Sequence, residues 1–227
     1  MIALAEGQCG GSYSDSFTLL ASLLSRIAAE IWPGDGIDRR RFIELWTCYS
    51  DHELQPNLIS VPLLTQSLRA EERESDAKLL EAVRPEMLGL THSTRVLRGS
   101  DVDMEESEVA TRSPTIPRRE VRAHSYPAVF YKHVRSNLAH EFKLSNDAAS
   151  HFATRLTANV SYVNRYDPES PVLSRRQIHF HIGWLTEIAR STARNTASLI
   201  DNYEVLRPPI TWWIEGRDTN IEKVTES

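Results

Sequence analysis

Cysteine is almost absent from this chain of 227 residues, with Cys9 and Cys48 the only two. Two cysteines without a CxxC spacing support neither a disulfide framework nor a zinc ribbon. No run of 18 apolar residues occurs, so no membrane-spanning helix is expected. Residues 1–11 lack a basic region and a continuous apolar stretch. A signal peptide is therefore not expected, and cytoplasm is the default location. A glycine-rich phosphate loop is missing too, because Gly10-Gly11 is not followed by Lys and Ser or Thr. His140-Glu141 has no second histidine at the zinc-protease spacing. A net charge of −5 argues against a broad nucleic-acid surface, which needs a basic patch.

Lysine is scarce as well, 4 against 22 arginines. Arginine suits planar, two-pronged contacts with phosphate or carboxylate, although a GC-rich genome produces the same bias. The arginines cluster at Arg39 to Arg41, at Arg118, Arg119 and Arg122, and at Arg175 with Arg176. Those clusters leave room for a small catalytic cleft.

Apolar content of 41% is enough for one globular core. The reading is a mainly α protein, a helical bundle with a small β-hairpin insertion. A single domain spans 14–203, and 204–227 forms a C-terminal tail. Phe17, Leu20, Leu24, Ile27 and Ile31 stripe a first helix that Pro33-Gly34-Asp35-Gly36 ends. Asp38, a plausible cap, opens a second helix running to Tyr49. Leu63 to Val83 reads as one or two helices with a charged, solvated middle. Residues 99–119 hold an acidic run and two Ser/Ile-Pro steps, and read as a mobile loop. Residues 150–165 and 171–181 suggest a hairpin around Asp167-Pro168-Glu169-Ser170. A last helix runs from about Ile182 to Tyr203. Thr211-Trp212-Trp213-Ile214 is an apolar island that either docks on the bundle or seals a dimer.

Chemistry concentrates in Arg135-Ser136-Asn137-Leu138-Ala139-His140. Arginine can hold a phosphate by a forked pair of hydrogen bonds, and histidine can move a proton near neutral pH. The pair needs no metal and no cofactor. Arg-x4-His occurs three times here, at Arg119–His124, Arg135–His140 and Arg176–His181. Composition alone gives roughly one such match, so context has to choose. Pro127 to Leu144 reads as an amphipathic helix, with Tyr131, Val134, Leu138 and Phe142 on one face and Phe130 flanking. His133, Asn137 and His140 fall on another face, with Ser136 beside them. On an α-helix, residues five apart lie about 140° apart around the axis. Arg135 therefore has to curl round to reach His140, or a second copy across a two-fold axis completes the pair. His179 and His181 alternate on one strand face, and structural histidines account for that spacing more often than a metal does.

The segment Tyr131-Lys-His-Val-Arg-Ser-Asn-Leu-Ala-His-Glu-Phe142 resembles the signature helix of the HEPN superfamily. Further stretches resemble a plasmid- and genome-encoded HEPN subfamily: Phe17 to Trp32, Arg39-Arg-Arg-Phe-Ile-Glu-Leu-Trp46, Ser161-Tyr-Val-Asn-Arg165, and Ile178-His-Phe-His-Ile-Gly-Trp-Leu185. Together they cover about residues 14–203. The resemblance implies an α-helical bundle and a metal-independent endoribonuclease of a toxin or antiphage-defence system. It implies Arg135 and His140 as the catalytic pair. Ser136 takes the polar slot after the arginine, with Asn137, His133 and Glu141 as supporting residues. It implies RNA as partner, a homodimer, and an antitoxin or defence protein as a further partner. The family more often has Asn, Asp or His in the slot that Ser136 occupies. A non-catalytic module binding RNA, a nucleotide or a partner protein is therefore the alternative.

Overall fold

A computed structural model describes residues 13–83, 96–135, 148–150, 159–167, 170–202 and 206–215. The protein is mainly helical with one small sheet. Helix α1 spans Tyr13–Ile31 and α2 spans Asp38–Tyr49. A single 3-10 turn, His52–Leu54, leads to α3 (Val61–Ala70) and α4 (Glu74–Glu81). Strand β1 (Leu97–Arg98) is followed by three short helices: α5 (Gly99–Val102), α6 (Glu106–Arg112) and α7 (Arg118–Ala123). Helix α8 (Tyr126–Phe130) runs straight into a π-helical turn over Tyr131–Arg135. Strands β2 (Ala148–Ser150), β3 (Val160–Asp167) and β4 (Ser170–Phe180) precede the long α9 (Ile182–Asp201) and the short α10 (Trp212–Glu215).

The apolar stripe expected on the first helix is the one that is buried. Phe17, Leu20, Leu24, Ile27 and Ile31 all face the core. Helix α1 packs on α2 and α9, and α2 also meets α8 and α10. Gly34 and Gly36 break the chain after α1 with positive φ, which glycine adopts without strain. Asp38 is not the cap of α2. Ile37 holds that position and has no side chain that can cap. Asp38 instead lies in the first turn, where a carboxylate complements the helix dipole, and it pairs with Arg41.

The sheet has strand order β1-β3-β4-β2. Strands β3 and β4 form the expected antiparallel hairpin, while β2 joins β4 in parallel. Phe130 sits at the centre of the core. It stacks parallel to Phe42 at 6.2 Å and stands edge-on to Phe180 at 5.2 Å. Trp46 packs on Phe130 at 5.2 Å and on Trp184 at 5.7 Å. Both indoles keep a hydrogen-bond partner, Trp46 Nε1 donating to Pro56 O at 2.8 Å and Trp184 Nε1 to Leu54 O at 2.9 Å. A buried indole N–H without such a partner would be costly.

Two expectations change. The stretch 99–119, read as a mobile loop, carries helices α5 and α6 and the start of α7. Val102, Met104, Val109 and Ile116 are buried there. Met104 also exchanges backbone hydrogen bonds with Ile59. The acidic run misleads because Asp103 points inward. Its carboxylate accepts hydrogen bonds from Tyr126 Oη at 2.5 Å, Tyr162 Oη at 2.7 Å and the Val61 N–H at 3.1 Å. The second change concerns Pro127 to Leu144, read as one amphipathic α-helix. Its described part is α-helical over Tyr126–Phe130 and widens to π over Tyr131–Arg135, and residues 136–144 lie outside the described residues. Phe130 is the hub of the core rather than a flanking residue.

Gly99 lies against this buried network. A Cβ there would overlap the Tyr126 hydroxyl, and would meet Val160 Cγ2 at 2.5 Å and Asp103 Oδ2 at 2.9 Å. Overpacking of a tight core costs typically about 1–3 kcal/mol. Gly99→Ala should therefore lower the urea midpoint by an amount corresponding to about 2 kcal/mol, with an unchanged slope. An unaltered midpoint would show that the Asp103 site can shift to make room.

Candidate functional site

The π-helical turn presents its side chains to two different places. Arg135 turns toward α1, its Nε donating to Ser25 Oγ at 3.4 Å and its Nη1 to Tyr131 Oη at 3.3 Å. The guanidinium lies over the Tyr131 ring, 5.0 Å from the centroid. Among the described residues it has no carboxylate partner. Lys132 and His133 instead line a cleft of about 330 Å³. Such turns are rare in proteins and concentrate at functional sites.

The cleft is walled by α2, α3, the end of α7, α8 and the π-helical turn. Its polar lining is Arg39, Gln66, Ser67, His124, Lys132 and His133. Leu63, Ala70 and Val129 supply apolar surface. Among the described residues no carboxylate belongs to the lining. Burial lowers the Arg39 pKa from its ordinary value, and nearby Arg119 lowers it too. Neither Arg39, Arg119 nor Lys132 forms an ion pair among the described residues. Other arginines do, such as Arg69 with Glu81 at 2.6 Å and Arg73 with Glu120 at 2.7 Å.

His124 Nδ1 lies 2.9 Å from Glu120 O. A carbonyl oxygen can only accept, so Nδ1 carries the hydrogen and Nε2 keeps its lone pair. Burial lowers the His124 pKa, and Lys132 adds to the effect. The ring is thus kept neutral near neutral pH.

Behind the cleft, Arg39 meets the C-terminal segment. Arg39 lies over the Trp213 ring at 5.0 Å. Arg122 lies over the Trp212 ring at 4.6 Å and donates to Trp212 O. Beneath the tryptophans, the buried Glu44 carboxylate collects backbone donors. Thr211 N at 2.9 Å and Trp212 N at 3.1 Å donate to Oε1, and Trp213 N at 3.1 Å donates to Oε2. Of the two readings of the Trp pair, docking on the bundle is the one observed. Residues Thr211 to Trp213 of the expected C-terminal tail are thus held against α2. Cys48 donates to the same Glu44 at 3.6 Å. Burial, with the Glu44 charge adding, pushes its thiol up to about 12, so Cys48 is a poor nucleophile and a poor metal ligand.

The expected site residues divide accordingly. Arg135 and His133 are described, on different sides of the π-helical turn. Ser136, Asn137, His140 and Glu141 lie outside the described residues. His181 hydrogen-bonds Ser161 Oγ at 3.1 Å inside the hairpin, a structural role. Among the described residues no group of three metal-ligating side chains occurs, and no helix is long and apolar enough to cross a membrane. Sequence reasoning marked Arg39 only as part of an arginine cluster and passed over Lys132 and His124. The available signal for His124 was the Arg119–His124 match to the same Arg-x4-His spacing. Comparison with protein-family models, curated proteins and solved structures finds nothing that matches this chain.

Hydrogen bonds to a charged acceptor are worth about 1.5–3 kcal/mol each. Glu44→Gln removes the charge and turns one acceptor oxygen into a donor facing N–H groups. Stability should fall by about 2 kcal/mol or more. Proteolysis at 206–215 should accelerate, and the Trp212 and Trp213 emission should shift to the red. Protease resistance equal to that of the parent protein would show that the cation–π stacks hold the segment without Glu44.

Proposed function

We propose that the protein is a metal-independent endoribonuclease of HEPN type, with Arg135 and His140 as its catalytic pair. The observation that carries this reading is the setting of Arg135. A guanidinium held by Ser25 and Tyr131, on a π-helical turn and without a carboxylate partner among the described residues, is prepared for an anion. Hydroxyl partners fix its direction and leave its charge unspent. A forked donor of this kind fits a phosphodiester better than a lysine would.

In the reaction, the substrate 2′-hydroxyl attacks the adjacent phosphorus and the bond from phosphorus to the 5′ oxygen breaks. His140 acts either as the general base that takes the 2′-hydroxyl proton or as the general acid that protonates the leaving 5′ oxygen, and water exchanges the other proton. The products are a 2′,3′-cyclic phosphate and a 5′-hydroxyl. Arg135 stabilises the charge that grows on the phosphoryl oxygens, where a donor has its largest effect. Ser136 and Asn137 orient the phosphate or the imidazole, with His133 and Glu141 supporting. A homodimer brings two copies of the motif together across a two-fold axis. A toxin or antiphage-defence setting, with an antitoxin or defence partner, follows from the same resemblance.

A second reading is a non-catalytic module that binds RNA, a nucleotide or a partner protein. It is favoured by the net charge of −5 and by the serine at 136. One experiment separates the two: incubation of the protein with single-stranded RNA in EDTA. Cleavage leaving cyclic phosphate ends is expected. His140→Ala should reduce it by about 10²- to 10⁴-fold. Arg135→Lys should also lose most activity despite keeping its charge. Equal cleavage by parent and His140→Ala would identify a contaminating nuclease. Absence of cleavage, with RNA binding that Arg135→Lys weakens, would favour the binding module.

A further inference from the structure

We propose that the cleft lined by Arg39, Lys132 and His124 is a binding site for a phosphate monoester, a ligand distinct from the phosphodiester proposed at Arg135. This inference does not rest on RNA cleavage.

The charge balance is the first argument. Arg39 and Lys132 line the cleft, and Arg119 lies close enough to repel Arg39. None of the three has a carboxylate partner among the described residues. The nearby acids are already engaged. Glu120 bonds Arg73 at 2.7 and 2.9 Å, and Glu71 lies 3.7 Å from the same arginine. In a protein of net charge −5, cations gathered this way are unfavourable unless an anion joins them.

The second argument concerns which anion. A phosphate monoester carries about −1.5 to −2 charges at pH 7. A diester inside a nucleic-acid strand carries one, and its chain must leave the site on both sides. A cleft walled by several elements suits a terminal group better than a through-going strand. The remaining lining suits such a group as well. Ser67 offers a hydroxyl and Gln66 an amide, and neutral His124 keeps one ring nitrogen as an acceptor for a protonated phosphate oxygen or a sugar hydroxyl. Gln66 is held in place, its Oε1 accepting from the Arg176 N–H at 3.1 Å. Leu63, Ala70 and Val129 give the carbon skeleton an apolar surface. The volume lies at the small end for ligand sites, near 300 Å³, which fits a sugar phosphate or the last residue of a 5′-phosphorylated RNA.

The third argument is preorganisation. Arg39 is fixed over Trp213, itself tied to Glu44 through its backbone N–H. The cation is therefore in place before a ligand arrives, which lowers the cost of binding.

Calorimetric titration of the full-length protein tests the site with inorganic phosphate, ribose 5-phosphate, ribose and dimethyl phosphate. Saturable binding of phosphate and ribose 5-phosphate is expected, with none of ribose and much weaker binding of dimethyl phosphate. Arg39→Gln and Lys132→Gln should each weaken binding about tenfold or more. Lys132 is exposed, so its substitution leaves the fold intact. Arg112→Gln, an exposed change outside the cleft, should have no effect. A matched pair of RNA oligomers locates the source of the phosphate. Tighter binding of the 5′-phosphorylated form points to an RNA end, and equal binding of the pair points to a free metabolite. The proposal is overturned if neither phosphate nor ribose 5-phosphate binds at millimolar concentration. It is also overturned if dimethyl phosphate binds as well as the monoester, or if binding is indifferent to both Arg39→Gln and Lys132→Gln. RNA cleavage that persists in any of those outcomes leaves the reading of Arg135 and His140 standing.

Discussion

One buried carboxylate ties together three parts of the chain that are far apart in sequence. Asp103 accepts hydrogen bonds from Tyr126, from Tyr162 and from the first residue of the α3 helix. Tyr162 Oη also lies 2.8 Å from Ser60 Oγ. The helix that supplies Phe130 to the core, the hairpin and the α3 wall of the cleft are thereby fixed relative to one another. An acid in such a place is tolerated because every direction around it offers a donor. Loss of one partner would leave a charge buried and partly unpaired, among the most destabilising changes a core can suffer. Both tyrosines are held well above their ordinary pKa by burial, with the Asp103 charge adding, so they are donors at neutral pH.

Legibility in the sequence followed the range of the interactions. Helices α1, α2 and α9 and the β3–β4 hairpin were visible because their signals are local: a stripe every three or four residues, or β-branched runs flanking a turn. Residues 99–119 were misread because the features that order them are distant. An aspartate in an acidic run looks solvated unless Tyr162, 59 positions on, is known to be its partner. The π-helical turn carries no sequence mark at all, since the pattern through Val134 satisfies α and π spacing alike.

The candidate site shows the same division. The arginine clusters at 39–41 and 118–122 stood out as clusters, yet nothing in the chain order says that they meet. They come together over two neighbouring indoles, Arg39 on Trp213 and Arg122 on Trp212. Arg122 is further neutralised by Glu106 at 2.8 Å, while Arg39 has no ion pair among the described residues. Two arginines with similar aromatic neighbours thus differ in character, one structural and one available. That difference is electrostatic and appears only once the fold has assigned the acids.

The Glu44 carboxylate receives its donors from residues 167 to 169 positions further along the chain. A ribosome delivers α2 long before it delivers those N–H groups. Through most of synthesis the Glu44 site on α2 stands open to water, and Arg39 has no indole to rest on. The wall of the cleft is therefore among the last surfaces to be finished. Contacts of such long sequence separation form slowly. A nascent chain would pass through a state with a largely assembled core and an unfinished anion cleft, so ligand recognition would mature after the fold itself.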